Sequence, residues 1–445
     1  MKKSKFVRVI AVLMSLTLLL GMLPASALAL DENELPILPV FAIESTATTV
    51  SAVGAPTTFQ WRVKGASTWN TTTTISGLYP ETEYTIEYKM ASTSDTVEKK
   101  VTTKTADYIA NRSATTIDTA APNVFKQTGT NLNVAFQNNF DLVYFFPSAN
   151  YVDYSNARIF IQRETYNDAT SSYEYSKKVV SLSSLPKDST NRYFLDNSGI
   201  ASTQLGDKIF ITIYGEKDGV TYVSDVKGYS VADYCYLKLK NTSSSAKLKT
   251  MCIDVLNYGD AAQVYFNENP YNLVTDINPT LYNQYKDLAT NSNPSNWSDV
   301  LKTSGTPVEA DLSAISIAFE DTTKLVFKFS LSGSATKNNI SVVATYESTD
   351  SSIGTVKKTY KASDIGFDGT RYFIIVDNIL TSDFECPVTV QVFKDNVLIS
   401  DTATANISHY CYNKYNAATS SDSFKRLVCT LMDYAYSATA YFSSN

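Results

Sequence analysis

The sequence predicts a mainly β protein, with a small N-terminal sandwich followed by two copies of one β-sandwich module that ends in an α-helix. Residues 234–266 and 410–442 align without a gap at a shift of 176 positions (410 − 234), so the chain contains an internal repeat. Its 30 tyrosines, abundant Ser and Thr, and 18% charged residues are typical of a folded chain rich in β-formers. At 445 residues the chain is long enough for about three domains.

Residues 1–29 are predicted to be a secretory signal peptide. Four basic residues within the first eight precede an apolar run over residues 9–22, and the small-residue triplet Ala27-Leu28-Ala29 follows. The run is shorter than the ~20 apolar residues that a membrane-spanning helix needs. We therefore expect cleavage after Ala29, or otherwise after Ala27, and a mature protein that is extracellular, either released or held at a cell surface, and not membrane-spanning.

The charge of the chain argues against nucleic acid as a partner. The net charge is −6 and becomes −10 once the four basic residues of the signal are removed, and an acidic surface repels phosphate backbones. The expected partners are instead an extracellular glycan, a cell wall or a surface protein. No cofactor is predicted.

Residues 36–105 read as short alternating strands with turns between them. Two strings, Gln60-Trp61-Arg62-Val63-Lys64-Gly65 and Gly77-Leu78-Tyr79-Pro80-Glu81-Thr82-Glu83-Tyr84, resemble the fibronectin type III family. The resemblance implies that Leu78 caps the core, that Pro80 fixes a turn and that the Tyr84 hydroxyl bonds back to the chain. It implies a spacer or adhesive module and no catalytic residue.

Residues 106–120 are expected to be a linker, and the two repeat modules occupy residues 121–267 and 307–445 with a second linker, 268–306, between them. Each module begins with strand-like stretches separated by polar turns, which favours an antiparallel sandwich. The stretches are 142–146, 157–161, 178–182 and 208–214 in the first module and 325–329, 340–345, 371–376 and 388–393 in the second.

Each module then changes to a helical period. Apolar residues recur every three or four positions from Leu248 to Phe266 and from Phe424 to Phe442, which predicts amphipathic helices. Ser244-Ser245 and Ser420-Ser421 stand where an N-cap hydroxyl belongs. Each helix is expected to pack on its own sheet, with the small residues Gly259 and Ala435 allowing a close approach. A further short helix is predicted over 281–289.

The helix string of residues 256–267, LNYGDAAQVYFN, resembles a segment that ends uncharacterised modules of secreted Gram-positive-type surface proteins. The second copy departs from the pattern, because Thr439 stands at the position of Gln263. The resemblance implies an extracellular, modular and often polysaccharide-associated protein, and no established activity.

No catalytic, cofactor-binding or metal-binding residue is predicted. The chain has one histidine, His409, whose counterpart in the first repeat is Asp233, and we expect it to be a partly exposed residue at a strand end. Nucleophilic and zinc sites would both depend on it. A carboxylate pair for polysaccharide hydrolysis stays open as an alternative, because such pairs meet only in space.

The five cysteines are expected to be mainly buried thiols. In the ungapped alignment Cys429 matches Ile253 rather than Cys252, which argues against one bridge in each repeat, although the disulfide state stays open. The repeated Tyr-Cys-Tyr is expected on a strand, with Cys235 and Cys411 facing the core and the flanking tyrosines facing outward.

Two tryptophans, Trp69 and Trp297, are candidates for stacking on a sugar ring, since both lie in loops or near turns. Packing between modules is the competing interpretation for each. The sequence therefore favours a secreted, non-enzymatic protein for extracellular adhesion or for glycan or cell-wall association. A carboxylate-based polysaccharide hydrolase and a purely structural surface component are the alternatives.

Overall fold

The computed structural model describes residues 41–443 except for 47–48, 57, 77, 79–81, 92–93, 95, 104–108, 112–113, 116–123, 126–129, 137–139, 171, 219, 225, 298–300 and 320–322. The predicted signal peptide lies outside the described residues. The chain divides into two compact units, residues 1–107 and residues 108–445, so that both repeats lie in the second unit.

The first unit is a sandwich of two antiparallel three-stranded sheets, β1-β2-β4 and β3-β5-β6. The strands are β1 Ala42–Ser45, β2 Thr49–Val53, β3 Phe59–Val63, β4 Thr74–Ser76, β5 Glu83–Met90 and β6 Val97–Thr102. The fully buried Trp61 lies at the centre of its core, and its indole N–H donates to the carbonyl of Thr72 (2.7 Å).

The described part of the fibronectin-like string contacts the core of the first unit. Leu78 is buried in the core, and Tyr84 lies on β5, partly buried against the same core. Pro80 and its turn lie outside the described residues. The predicted fold class, mainly β with an N-terminal sandwich and C-terminal helices, is confirmed.

The first repeat contains two sheets, β10-β11-β14 and β13-β12-β15-β16-β9, with β17 pairing to β15. The preceding strands β7 and β8 pair with each other. The strands are β7 Ile109–Asn111, β8 Ala114–Thr115, β9 Val124–Phe125, β10 Asn131–Ala135, β11 Phe140–Pro147, β12 Ser155–Asn167, β13 Ser172–Ser181, β14 Arg192–Ile200, β15 Ile209–Lys217, β16 Val220–Ser224 and β17 Lys227–Tyr229.

The second repeat follows the same plan, with sheets β19-β20-β24-β23 and β18-β27-β25-β21-β22 and with β26 on β25. The strands are β18 Leu301–Ser304, β19 Ala310–Ala318, β20 Lys324–Leu331, β21 Ile340–Glu347, β22 Thr355–Tyr360, β23 Gly366–Phe367, β24 Tyr372–Val376, β25 Val388–Lys394, β26 Val397–Leu398 and β27 Thr402–Ala405. Each of the eight predicted strand stretches lies on an observed strand and extends beyond it by at most one residue.

The α-helices of the described residues all lie in the second unit. They are α1 Val231–Lys240, α2 Ala246–Phe266, α3 Pro279–Tyr285, α4 Ile407–Asn416 and α5 Asp422–Phe442. The two long predicted helices are confirmed as α2 and α5. Ser245 and Ser421 are their N-caps, and each accepts a hydrogen bond from the backbone N–H three residues on (3.2 Å). No helix among the described residues is long and apolar enough to span a membrane.

The expectation of a strand at each Tyr-Cys-Tyr is wrong, because both lie on helices, α1 and α4. Ser230 caps α1 in a capping box with Asp233, and Asn406 caps α4 by accepting from the N–H of His409 (2.7 Å). Cys235 and Cys411 are buried as expected. Tyr234 and Tyr236 are buried too rather than facing outward, since successive helix positions differ by 100° instead of alternating between two faces.

The long helices pack on each other, and Tyr258 of α2 also contacts Phe140 of β11 in its own repeat. Helix α2 lies against α5, α1 and the 3₁₀ turn Ser202–Gln204. At the centre of the helix pair the rings of Tyr258 and Tyr434 stack, 6.1 Å apart and 17° from parallel. These two tyrosines occupy the same position in the repeat, so an approximate twofold axis relates the two helices.

Gly259 permits a close approach, but to a turn rather than to a sheet. A Cβ atom there would lie 2.8 Å from Leu205 Cδ1 and 3.3 Å from the carbonyl oxygen of Ser202. Because this overpacking outweighs the better helix propensity of alanine, we expect Gly259→Ala to lower the free energy of unfolding by about 1 kcal/mol. Urea unfolding followed by circular dichroism measures the change, and a stabilised variant would show that helix propensity dominates instead.

Residues 268–297 of the predicted linker, here called the strap, form 3₁₀ turns and α3, which overlaps the short helix predicted over 281–289. Val274 is fully buried, and its N–H donates to Oε1 of the buried Gln263 (3.0 Å). Farther along, the N–H of Thr290 donates to Asp254 (2.9 Å) and that of Ser292 donates to Asp433 (2.8 Å). The strap is therefore bonded to both α2 and α5.

Candidate functional site

The candidate site in the first unit is the Trp69 surface, formed by Trp69, Arg62 and Lys89. The guanidinium carbon of Arg62 lies 4.4 Å from the centroid of the Trp69 ring, and Lys89 Nζ lies 4.7 Å from it. Neighbouring strands supply the two cations, since Arg62 lies on β3 and Lys89 on β5. The partly exposed indole is thus held by two cation–π contacts.

Arg62 is fixed in place by further contacts. Its Nε donates to Glu87 Oε2 (2.7 Å) and its Nη1 donates to the carbonyl of Ala66 (2.9 Å). A guanidinium oriented in this way cannot swing off the indole without breaking two hydrogen bonds. The arrangement places an aromatic ring beside two cations, of which Arg62 forms an ion pair with Glu87, on a chain that is acidic overall.

The other tryptophan that the sequence offered for sugar stacking, Trp297, is buried. Trp297 is 3% exposed, its ring lies edge-on to Tyr415 (5.9 Å), and its N–H donates to Ser292 Oγ (3.2 Å). Because no ring face is open, Trp297 cannot stack on a sugar in this structure. It packs the end of the strap against α4, as in the competing interpretation.

His409 is not the partly exposed strand-end residue that the sequence suggested. It lies in the first turn of α4, is 5% exposed, and its Nε2 is 2.6 Å from Asn413 Nδ2. Among the described residues, no group of three or more His, Cys, Asp and Glu side chains could hold a metal ion.

A pair of carboxyl groups lies between the long helices. Asp254 is fully buried, and its Oδ2 has no hydrogen-bond partner among the described residues. Burial raises the pKa of Asp254 to about 7, and the nearby charge of Asp433 adds to the rise, while hydrogen bonds with Thr290 and Ser437 oppose it. Burial also raises the pKa of Asp433.

This pair could not be found by aligning the repeats, because Asp254 matches Thr430 and Asp433 matches Asn257. The two groups come together only when α2 meets α5. Since Asp254 is buried beneath the strap, a polysaccharide chain cannot reach it, and the pair does not form the open cleft that a glycosidase needs. A nearby ion pair, between Asp260 of α2 and Arg426 of α5, also joins the two repeats.

All five cysteines are free thiols in the structure. Cys235 lies beside Cys252, and burial, together with this neighbour, raises the pKa of the Cys235 thiol. Burial raises the pKa of Cys386 and of Cys429 to about 11. Cys235, Cys386 and Cys429 thus have raised pKa values, the opposite of the lowered pKa of a nucleophilic thiol.

We therefore expect five free thiols when the mature protein is denatured without reductant and titrated with a thiol reagent. The neighbouring pair Cys235 and Cys252 provides the sharpest check. Three thiols would indicate that one bridge forms, and peptide mapping would show whether this pair makes it. Cys235→Ala is expected to lower the free energy of unfolding by about 1 kcal/mol, because it leaves a small cavity.

No known protein-family model matches the chain, and neither does any curated protein. Among solved structures it is similar to the FN1–FN3 domains of chicken CNTN1, at 10% identity and a TM-score of 0.17, over 82% of this chain and 96% of that one. It is also similar to a two-domain fibronectin type III segment of chicken tenascin, at 14% identity and a TM-score of 0.18, over 43% and 95% of the two chains. These scores are too low to carry an argument, so the sandwich assignment of the first unit rests on its own sheet order.

Proposed function

We propose that the protein is a non-enzymatic extracellular binding protein that associates with acidic glycans of a cell wall or matrix through the Trp69 surface. The observation that carries the proposal is the placing of Arg62 and Lys89 over one partly exposed indole ring. The apolar C–H face of a sugar packs against indole, and a carboxylate or phosphate on that sugar pairs with the cations beside it.

The architecture is compatible with this role. Strands β3 and β5 hold the two cations, and Trp69 lies in the connection after β3, next to Asn70, which bridges to Trp61. The fibronectin-like sandwich and the duplicated unit together suit a protein that links or spaces surfaces. The resemblance of α2 to the ends of modules in secreted, polysaccharide-associated proteins points to the same setting. A hydrolase is less well supported, because the carboxyl pair of Asp254 and Asp433 is closed to a polymer.

Binding to polygalacturonate tests the proposal, with the fully methyl-esterified polymer as the uncharged matched ligand. We expect the protein to bind the acidic polymer and to bind it more weakly as salt is added, because exposed charges are screened. Trp69→Ala should weaken binding about tenfold or more, as is typical when a central aromatic contact is removed. Lys89→Gln should weaken it less and reduce the salt dependence.

Lys100→Gln is the matched control, since Lys100 is an exposed cation on β6 that pairs with Glu83 rather than with Trp69. It should bind like the unaltered protein. Equal affinity of the Trp69→Ala variant, or equal binding to the esterified polymer, would refute the proposal. New reducing ends in the polymer would favour the hydrolase, and no binding to any surface glycan would favour a purely structural role.

A further inference from the structure

The approximate twofold axis between α2 and α5 creates two equivalent aromatic sites. At each, the last two residues of one long helix lie by the first turn of the other and by a phenylalanine that follows a strand. Site 1 consists of Tyr265 and Phe266 with Phe424 and Phe319, and site 2 of Tyr441 and Phe442 with Leu248 and Phe136. The repeat alignment relates them, because 248 and 424 differ by the same 176 positions.

The two sites differ at one position. In site 1 the ring of Phe424 lies between neighbours, 4.8 Å from the centroid of Tyr265 and 6.4 Å from that of Phe319. In site 2 the corresponding residue is Leu248, which has no ring. A cleft of about 230 Å³ lies there, lined by Leu248 and by the counterparts of the residues that contact Phe424.

The lining indicates which chemistry fits the cleft. Phe136, Leu248, Tyr441 and Phe442 supply the apolar part of a mixed lining, and the volume of this open cleft exceeds the roughly 150 Å³ of a cavity that holds a benzene ring. Polar atoms also reach the lining, since Tyr234 Oη donates to Asn133 Oδ1 (3.1 Å). The Asn133 amide and the Tyr234 hydroxyl can exchange hydrogen bonds with one polar substituent on such a ring.

We propose that this cleft is a binding site for a single aromatic ring bearing a hydroxyl group, that is, for a phenol. Site 1 indicates the occupant, because the equivalent place there holds the phenyl ring of Phe424. The proposal is independent of the Trp69 surface, which lies in the first unit.

The test uses the full mature chain and 4-fluorophenol, followed by ¹⁹F NMR. We expect saturable binding, with fluorobenzene binding more weakly because it cannot hydrogen-bond. Leu248→Phe should reduce the affinity at least tenfold while leaving the melting temperature unchanged or higher, since it supplies the ring that site 1 already has. Leu237→Phe adds the same volume at an exposed position of α1 and should leave binding unaltered.

Asn133→Leu gives a second readout that does not depend on filling the cleft. It should remove the preference for 4-fluorophenol over fluorobenzene. N-acetyl-tyrosinamide is then added as a competitor to separate two sources of the ring. Displacement of 4-fluorophenol indicates that the cleft accepts a tyrosine side chain, and no displacement indicates that it accepts only a free phenol. The proposal is overturned if 4-fluorophenol shows no saturable binding, or if Leu248→Phe binds it as well as Leu237→Phe does.

Discussion

Tyr434→Ala is expected to lower the free energy of unfolding of the second unit by roughly 3–5 kcal/mol. The Tyr434 side chain is 4% exposed. Its ring stacks on that of Tyr258 and also on that of Phe140, whose centroid is 5.5 Å away and whose plane is 24° from parallel. Its hydroxyl donates to the carbonyl of Phe136. The substitution leaves a cavity at the centre of the helix pair and removes a hydrogen bond between the repeats.

Urea unfolding followed at 222 nm is the measurement, because the described α-helices all lie in the second unit. Tyr271→Ala is the control, since Tyr271 is 90% exposed and its loss should change stability by less than about 0.5 kcal/mol. Tyr434→Phe keeps the ring and should cost only about 1 kcal/mol, the value of one hydrogen bond. Equal effects of Tyr434→Ala and Tyr271→Ala would show that this contact does not hold the repeats together.

Asp254→Asn is expected to stabilise the protein at pH 8 and to have little effect at pH 4. An unfolded aspartate has a pKa near 3.9, whereas burial raises that of Asp254 to about 7 in the folded state. Between these values the folded state holds one proton more, so the free energy of unfolding falls as pH rises and levels off above pH 7. The ionisation of Asp254 lowers the free energy of unfolding between pH 4 and pH 8 by on the order of 4 kcal/mol at most.

The difference in the free energy of unfolding between the variant and the unaltered protein separates the effect of Asp254 from the effects of other carboxylates. Hydrogen bonds from Arg371 and Lys328, for example, lower the pKa of Asp368, which gives the opposite slope at lower pH. Asp287→Asn, at an exposed position on the strap, is the matched control and should shift stability equally little at both pH values. A constant difference between pH 4 and pH 8 for Asp254→Asn would mean that Asp254 is ionised throughout.

Local patterns fixed much of the fold in advance. The spacing of apolar residues located α2 and α5, and the serines before them are the observed N-caps, because capping depends on a few consecutive residues. The strand expected at each Tyr-Cys-Tyr segment is wrong, although the sequence contains a local signal for a helix. Ser230 and Asp233 have capping-box spacing, and Val231, Ala232, Cys235, Tyr236 and Leu239 follow a helical period.

The sequence by itself thus determined the duplication, the strands, the long helices and the candidate Trp69. Only the tertiary structure decided that the repeats join through α2 and α5, that Trp297 is buried against Tyr415 of α4, and that Asp254 lies near Asp433. The physical reason is the same in each case. These contacts join residues distant in the chain, and they depend on helix docking, which the periodicity of one helix cannot specify because it shows which face is apolar but not what covers it.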